Sequence, residues 1–113
     1  GNIMKVYELK IHPMLYDLIV AGKKIFEVRK LEKKYISKND IIHFVDPDKN
    51  HLGYASVEEV YVVSRTEVLK ALECTADISS REFVKTHYSD EKTLVMFKLS
   101  PLKEVKIADK LIE

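Results

Sequence analysis

Residues 21–30, Ala21-Gly22-Lys23-Lys24-Ile25-Phe26-Glu27-Val28-Arg29-Lys30 (AGKKIFEVRK), lie where one periodicity gives way to another. Upstream, in HPMLYDLIV, Met14, Leu15, Leu18 and Ile19 fall on one helical face. Pro13 suits the first helical turn, where its missing N–H is no loss. Gly22 stands where a helix stops in a left-handed conformation. Downstream the pattern alternates: Phe26 and Val28 share one face of a strand, and Ile25, Glu27 and Arg29 share the other. The stretch therefore predicts a helix that ends on glycine and passes directly into a charged strand.

Outward from it, the elements follow in order. MKVYELKI, residues 4–11, carries strand-forming residues in imperfect alternation. KLEKKYISKND, residues 30–40, is a lysine-rich loop that places Asp40 near the start of a strand, IIHFVD. Asp46-Pro47-Asp48-Lys49-Asn50 is turn chemistry, and Gly53 opens a long β run, YASVEEVYVV. TEVLKALEC, residues 66–74, predicts a helix capped by Thr66 with Val68, Leu69 and Leu72 inward. A second short helix follows, with Ser79 or Ser80 capping REFVKTHY. TLVMFKL, residues 93–99, is a strand that Pro101 ends, and the tail VKIADKLIE fits helix or strand equally. Antiparallel strands with an early helix between the first two, and one or two later helices, predict a small α+β fold, a partly closed and mainly antiparallel β-barrel.

The chain has 113 residues, the size of one domain, and the expectation is a single domain over residues 4–113. Hydrophobic residues make up 46% and charged residues 33%, which argues against disorder and against a membrane span of ~20 apolar residues. The start, Gly1-Asn2-Ile3-Met4, has no basic region before an apolar stretch, so no secretory leader is expected. The one cysteine, Cys74, allows no internal disulfide and fits a reducing cytoplasm. His12, His43, His51, His87 and Cys74 lack metal-like spacing, and three scattered glycines cannot build a phosphate-cradling loop, so neither metal nor cofactor is expected.

Charge is unevenly distributed. Residues 22–38 hold seven basic residues (Lys23, Lys24, Arg29, Lys30, Lys33, Lys34, Lys38) against Glu27 and Glu32, whereas the remainder carries 12 basic and 16 acidic residues. This suits a polyanion on one side of a nearly neutral protein, or simply a solvated lysine loop. Glu27 and Arg29 likewise have two readings. As exposed strand positions they would pair with neighbours for at most ~1 kcal/mol. Facing the inside of an open barrel, Glu27 would hydrogen-bond a base edge, and Arg29 would hold phosphate or brace the carboxylate. Alternation places the Cβ of Lys24 on the Phe26 side, from where it could swing toward the same cleft.

Gly22-Lys23-Lys24-Ile25-Phe26-Glu27-Val28-Arg29 resembles the Gly-x-Lys-x-x-Glu-x-Arg signature of ASCH domains, in the PUA-like superfamily of small β-barrels. YELKIHPMLYDLIVAGKKIFEVRK is similar to the family's opening strand–helix–strand, and ISKNDIIHFVD, GYASVEEVYVV and TLVMFKL to its later strands. The resemblance spans residues 4–100 and implies a five- or six-stranded barrel whose cleft is lined by the signature. It further implies binding of RNA or a modified nucleoside. Lys24, Glu27 and Arg29 would line the cleft, Lys23, Lys30, Lys33 and Lys34 would form a phosphate-attracting rim, and Tyr35 or Tyr54 would stack a base.

One branch of the family is implied to be enzymatic, removing acetyl from N4-acetylcytidine with a Lys, a Thr and a later Glu. The Lys maps to Lys24, but Glu27 stands at the Thr position, and no Thr or Ser lies between Lys23 and Tyr35. In an enzyme of this kind Glu27 would act as general base, with Lys24 or Arg29 stabilising the oxyanion. Binding module, small amidohydrolase and protein-interaction domain are the three function classes the sequence leaves open.

Overall fold

The structure, a computed structural model, describes residues 4–103. Strand β1 (Val6–Lys10) leads into helix α1 (Pro13–Val20), then β2 (Phe26–Lys30) and a 3₁₀ turn, Leu31–Lys33. β3 (Ile41–Val45) and the long β4 (His51–Ser64) follow, then α2 (Arg65–Glu73), α3 (Ile78–His87) and β5 (Thr93–Leu102). The expected tail element at 105–113 lies outside the described residues.

The five strands form one sheet in the order β1-β3-β4-β5-β2. β1 and β3 run parallel and the other neighbours antiparallel. The sheet curls into a half-barrel with β1 and β2 as its two edges. Two apolar clusters hold the curl. Leu9, Ile11, Ile19, Ile42, Phe44, Val57, Val95 and Phe97 belong to one, with α1 packed on it. Val28, Leu94 and Met96 join Val68, Leu72 and Val84 of α2 and α3, and Tyr88 just after α3, in the other. β5 thus has its alternate side chains buried in different cores, which is why TLVMFKL reads as an apolar run rather than an alternation.

Local chemistry explains the element ends. Gly22 takes φ +74°, the left-handed conformation expected after α1. α2 is capped by Ser64, whose Oγ accepts from the Glu67 amide at 3.1 Å, not by Thr66. Ser64-Arg65-Thr66-Glu67 is the Ser-x-x-Glu spacing of a capping box, two residues before the expected Thr66. α3 is capped by Asp77, which accepts from the Ser80 amide, so neither Ser79 nor Ser80 is the cap. β5 continues through Pro101, because β2 covers only the stretch to Lys98 and no second neighbour needs an N–H farther along.

Gly53 permits a close approach. A Cβ there would lie 1.8 Å from the Tyr16 hydroxyl oxygen, while Tyr16 itself packs on Phe44. Gly53→Ala is expected to cost about 1–2 kcal/mol in urea unfolding, because the ring of Tyr16 must swing off Phe44. Unchanged stability would mean that α1 is not seated this closely on β4.

Candidate functional site

The edges β1 and β2 are not paired, and the gap between them is bridged by a side chain. Arg29 Nη2 donates to the Lys10 carbonyl at 2.6 Å and to Glu27 Oε2 at 2.9 Å. Next to this bridge lies a cavity of about 390 Å³, lined by residues of β1, α1, β2 and α3 and by the segments between them. Its polar floor includes Lys24, Glu27, Arg29 and Ser80, and its apolar wall Val28, Phe83, Val84 and Tyr88.

Lys24 is the hub. It precedes β2, so strand alternation does not govern it, and its ammonium is buried at 3% exposure. Nζ donates to the Phe26 carbonyl at 2.9 Å and to Ser80 Oγ at 2.6 Å. It also lies 3.4 Å from Glu27 Oε1 and 3.4 Å from Asp77 Oδ2. Ser80 in turn donates its hydroxyl proton to Asp77 Oδ2, while Asp77 Oδ1 accepts from the Ser80 amide. Two buried carboxylates thus share one buried ammonium, and the half-buried Arg29 supplies a second cation to Glu27.

Burial pushes the Glu27 carboxyl up, but Lys24 and Arg29 outweigh it, so the group ionises below its ordinary 4.5. A depressed folded-state pKa contributes stability that is present above 4.5 and is lost as pH falls through the folded value. The Glu27→Gln protein should therefore be less stable than the parent at pH 7. Its stability should also decline less steeply on acidification below about pH 4.5, measured by urea unfolding at stepped pH. Identical acid slopes would place the acid-sensitive contacts elsewhere.

The structure brings together Lys24, Glu27 and Arg29 of the predicted set. Lys23, Lys30, Lys33 and Lys34 do not line the cavity. Lys23 and Lys34 are exposed, Lys33 is half-buried, and Lys30 lies 4.0 Å from Glu91. Tyr35 packs edge-on against Tyr7, and Tyr54 stacks on His43, so neither tyrosine reaches the cavity. Residues not foreseen as functional are Asp77, Ser80, Phe83, Tyr88, Lys10 and His12. Asp77 and Ser80 are 53 and 56 positions from Lys24, and only a helix-cap spacing marked them in the sequence. Among the described residues no three His, Cys, Asp or Glu side chains cluster as metal ligands, and no helix is long and apolar enough to cross a membrane.

Fold and site together define a curled α+β half-barrel with a charged pocket at its open seam. The chain belongs to the ASCH domain family, whose sequence model matches residues 9–107. No curated protein matches it. The solved structures it is similar to include the hypothetical protein PH0355, at 24% identity and TM-score 0.68 over 88% of this chain and 100% of that one. The ASCH protein of Zymomonas mobilis aligns at 20% identity and TM-score 0.64, over 88% of this chain and 71% of that one. PF0455 of Pyrococcus furiosus aligns at 22% identity and TM-score 0.61, over 87% and 98%. At these identities the structural likeness concerns the fold alone.

Proposed function

We propose that the cavity receives a nucleoside, either free and modified or as an unpaired residue of RNA, in a cytoplasmic setting. The observation that supports this most is one cavity combining a hydrogen-bonding floor at Lys24, Glu27 and Arg29 with an apolar, aromatic lip. Its volume of about 390 Å³ falls within the ~300–1,000 Å³ usual for ligand pockets. A base is a flat π surface with a polar edge, so its grip requires a ring to stack on and directional donors at the end of the slot. Phe83 fits the first role better than Tyr35 or Tyr54. It lines the cavity, is 41% exposed, and is stacked on His87 at 4.2 Å with 10° between the planes. In this reading Lys23, Lys30, Lys33 and Lys34 attract the phosphates of a longer RNA from outside the pocket.

Filter retention of small RNA at two salt concentrations tests this, beside direct titration with a panel of modified nucleosides. RNA should be retained at low salt and released as salt rises, with a shallower salt dependence once Lys33 and Lys34 are replaced by glutamine. Phe83→Ala should weaken binding by about 1–3 kcal/mol. No affinity for single-stranded, structured or transfer RNA at low salt, together with no nucleoside binding, would remove the proposal.

Ser80 favours a second reading, a small amidohydrolase acting on an acylated nucleoside such as N4-acetylcytidine. The strand lacks a hydroxyl, but α3 brings one to within 2.6 Å of the Lys24 ammonium, with its proton directed at Asp77. Ser80 Oγ would attack the acyl carbonyl as its proton passes to Asp77, with Lys24 facing the developing oxyanion. The C–N4 bond would then break as Asp77 returns the proton to the departing amine, and a water would hydrolyse the acyl-serine to free the acid. Mass spectrometry of the same nucleoside incubations separates the two readings. Release of an acid that disappears in Ser80→Ala would make the site catalytic, and binding without product would make it a reader.

A further inference from the structure

The polar groups around the cavity divide into those already satisfied within the chain and those still available. All four oxygens of Glu27 and Asp77 already accept from this chain: Oε1 from the Val28 amide, Oε2 from Arg29, Oδ1 and Oδ2 from Ser80. Lys24 is surrounded by the Phe26 carbonyl, Ser80, Asp77 and Glu27. The available groups are of one kind. Arg29 commits Nη2 to Glu27 and Lys10, which leaves the N–H groups on Nε and Nη1 without an acceptor among the described residues. Lys10 lines the cavity, and its ammonium makes no hydrogen bond or ion pair among the described residues.

His12 has its tautomer set by the fold. Nδ1 accepts from the Met14 amide at 3.1 Å, so in the neutral ring the proton sits on Nε2, which is a donor. Only the hydroxyls of Ser79 and Tyr88 can serve either way, and burial raises the Tyr88 phenol above its ordinary value, keeping it protonated at neutral pH. The pocket that Phe83 borders is thus rich in donors and poor in free acceptors.

Resting on the nucleoside reading above, we infer that the preferred occupant is a nucleotide rather than a nucleoside: its base lies on Phe83, and its phosphate accepts from Lys10, His12 Nε2 and the remaining N–H groups of Arg29. A phosphate offers only acceptors, and charge-assisted hydrogen bonds to it are about twice as strong as neutral ones. An uncharged nucleoside, whose sugar and amino groups also donate, leaves more of these donors unmatched.

The test is calorimetric titration of the full chain with the four common nucleosides and N4-acetylcytidine, the 5′- and 3′-monophosphates of each, and inorganic phosphate. The Lys10→Gln/His12→Asn double variant is titrated alongside. Asparagine keeps an N-cap oxygen for the Met14 amide, and the Lys10 carbonyl that Arg29 uses is untouched, so the fold is retained. Urea unfolding of the variant verifies this.

The expected result is at least one monophosphate binding about tenfold or more tighter than its nucleoside. That advantage should shrink to within about threefold in the double variant, with inorganic phosphate alone binding far more weakly than the nucleotide. Phe83→Trp, the chain's only tryptophan, should also be quenched by the nucleotide and not by phosphate. Equal affinity for nucleoside and nucleotide would overturn the inference while leaving the nucleoside reading standing. So would a phosphate advantage undiminished in the double variant. Inorganic phosphate binding as tightly as any nucleotide, or no binding of any probe, would overturn the inference, and with no RNA retained at low salt the nucleoside reading as well.

Discussion

Lys24→Met is expected to destabilise the protein by about 3–5 kcal/mol and to abolish ligand binding at the cavity. The ammonium is 3% exposed and faces Glu27 and Asp77, each 3.4 Å away. Methionine fills the volume but leaves buried Asp77 without its cation and Glu27 with Arg29 alone, and uncompensated buried charge is among the costliest defects in a folded protein. Urea unfolding checks the size, and an unchanged dependence on denaturant confirms that only the native state is altered. The combined variant Lys24→Met/Asp77→Asn should recover part of the loss, because it removes the stranded charge while keeping the α3 cap. A single variant within about 1 kcal/mol of the parent would show that the cluster is hydrated rather than buried.

Asp77→Ala should be the next largest, at about 2–4 kcal/mol. One side chain caps α3 through the Ser80 amide, accepts the Ser80 hydroxyl proton and faces Lys24. The cap alone is worth ~1 kcal/mol, and a hydrogen bond to a charged group ~1.5–3 kcal/mol. Asp77→Asn separates these contributions. Asparagine caps as well as aspartate, so this variant should retain the helix and lose only the ionic share, about half of the alanine effect. If the asparagine and alanine variants were equally destabilised, the cap would be irrelevant and the carboxylate charge would account for the whole effect.

The parts of the fold that were legible in the sequence are those written in short-range chemistry. The change from helical to alternating period around Gly22 marked α1 and β2, and the turn residues at 46–50 marked the β3–β4 hairpin, where Asp46 accepts the amides of Asp48 and Asn50. The faces of β2 were legible too, since Phe26 and Val28 pack toward α2 and α3, while Glu27 pairs across from Phe97. Caps were misplaced because serine, threonine and aspartate compete within a few residues, and only the geometry selects Ser64 and Asp77. The site was half-legible. Lys24, Glu27 and Arg29 occupy one short segment, whereas the hydroxyl and second carboxylate that complete it come from the start of α3, brought there by packing of Val84 and Tyr88 on β2 and β5. No local periodicity encodes that meeting. The two tyrosines chosen from their basic neighbourhoods pack elsewhere, because proximity in sequence to lysines says nothing of which face of the sheet a ring occupies.

The most direct test of the account is to map a nucleotide onto the chain by amide chemical-shift perturbation. With 113 residues the protein suits two-dimensional NMR, and each amide reports its own surroundings. Saturating nucleotide is predicted to shift the amides of Lys24, residues 27–29 and residues 79–84, leaving those of His43, Tyr54 and Lys34 in place. Shifts centred on His43 and Tyr54 or on the 3₁₀ turn, or no shifts at saturating concentration, would contradict the claim that the pocket at the β1–β2 seam is the binding site.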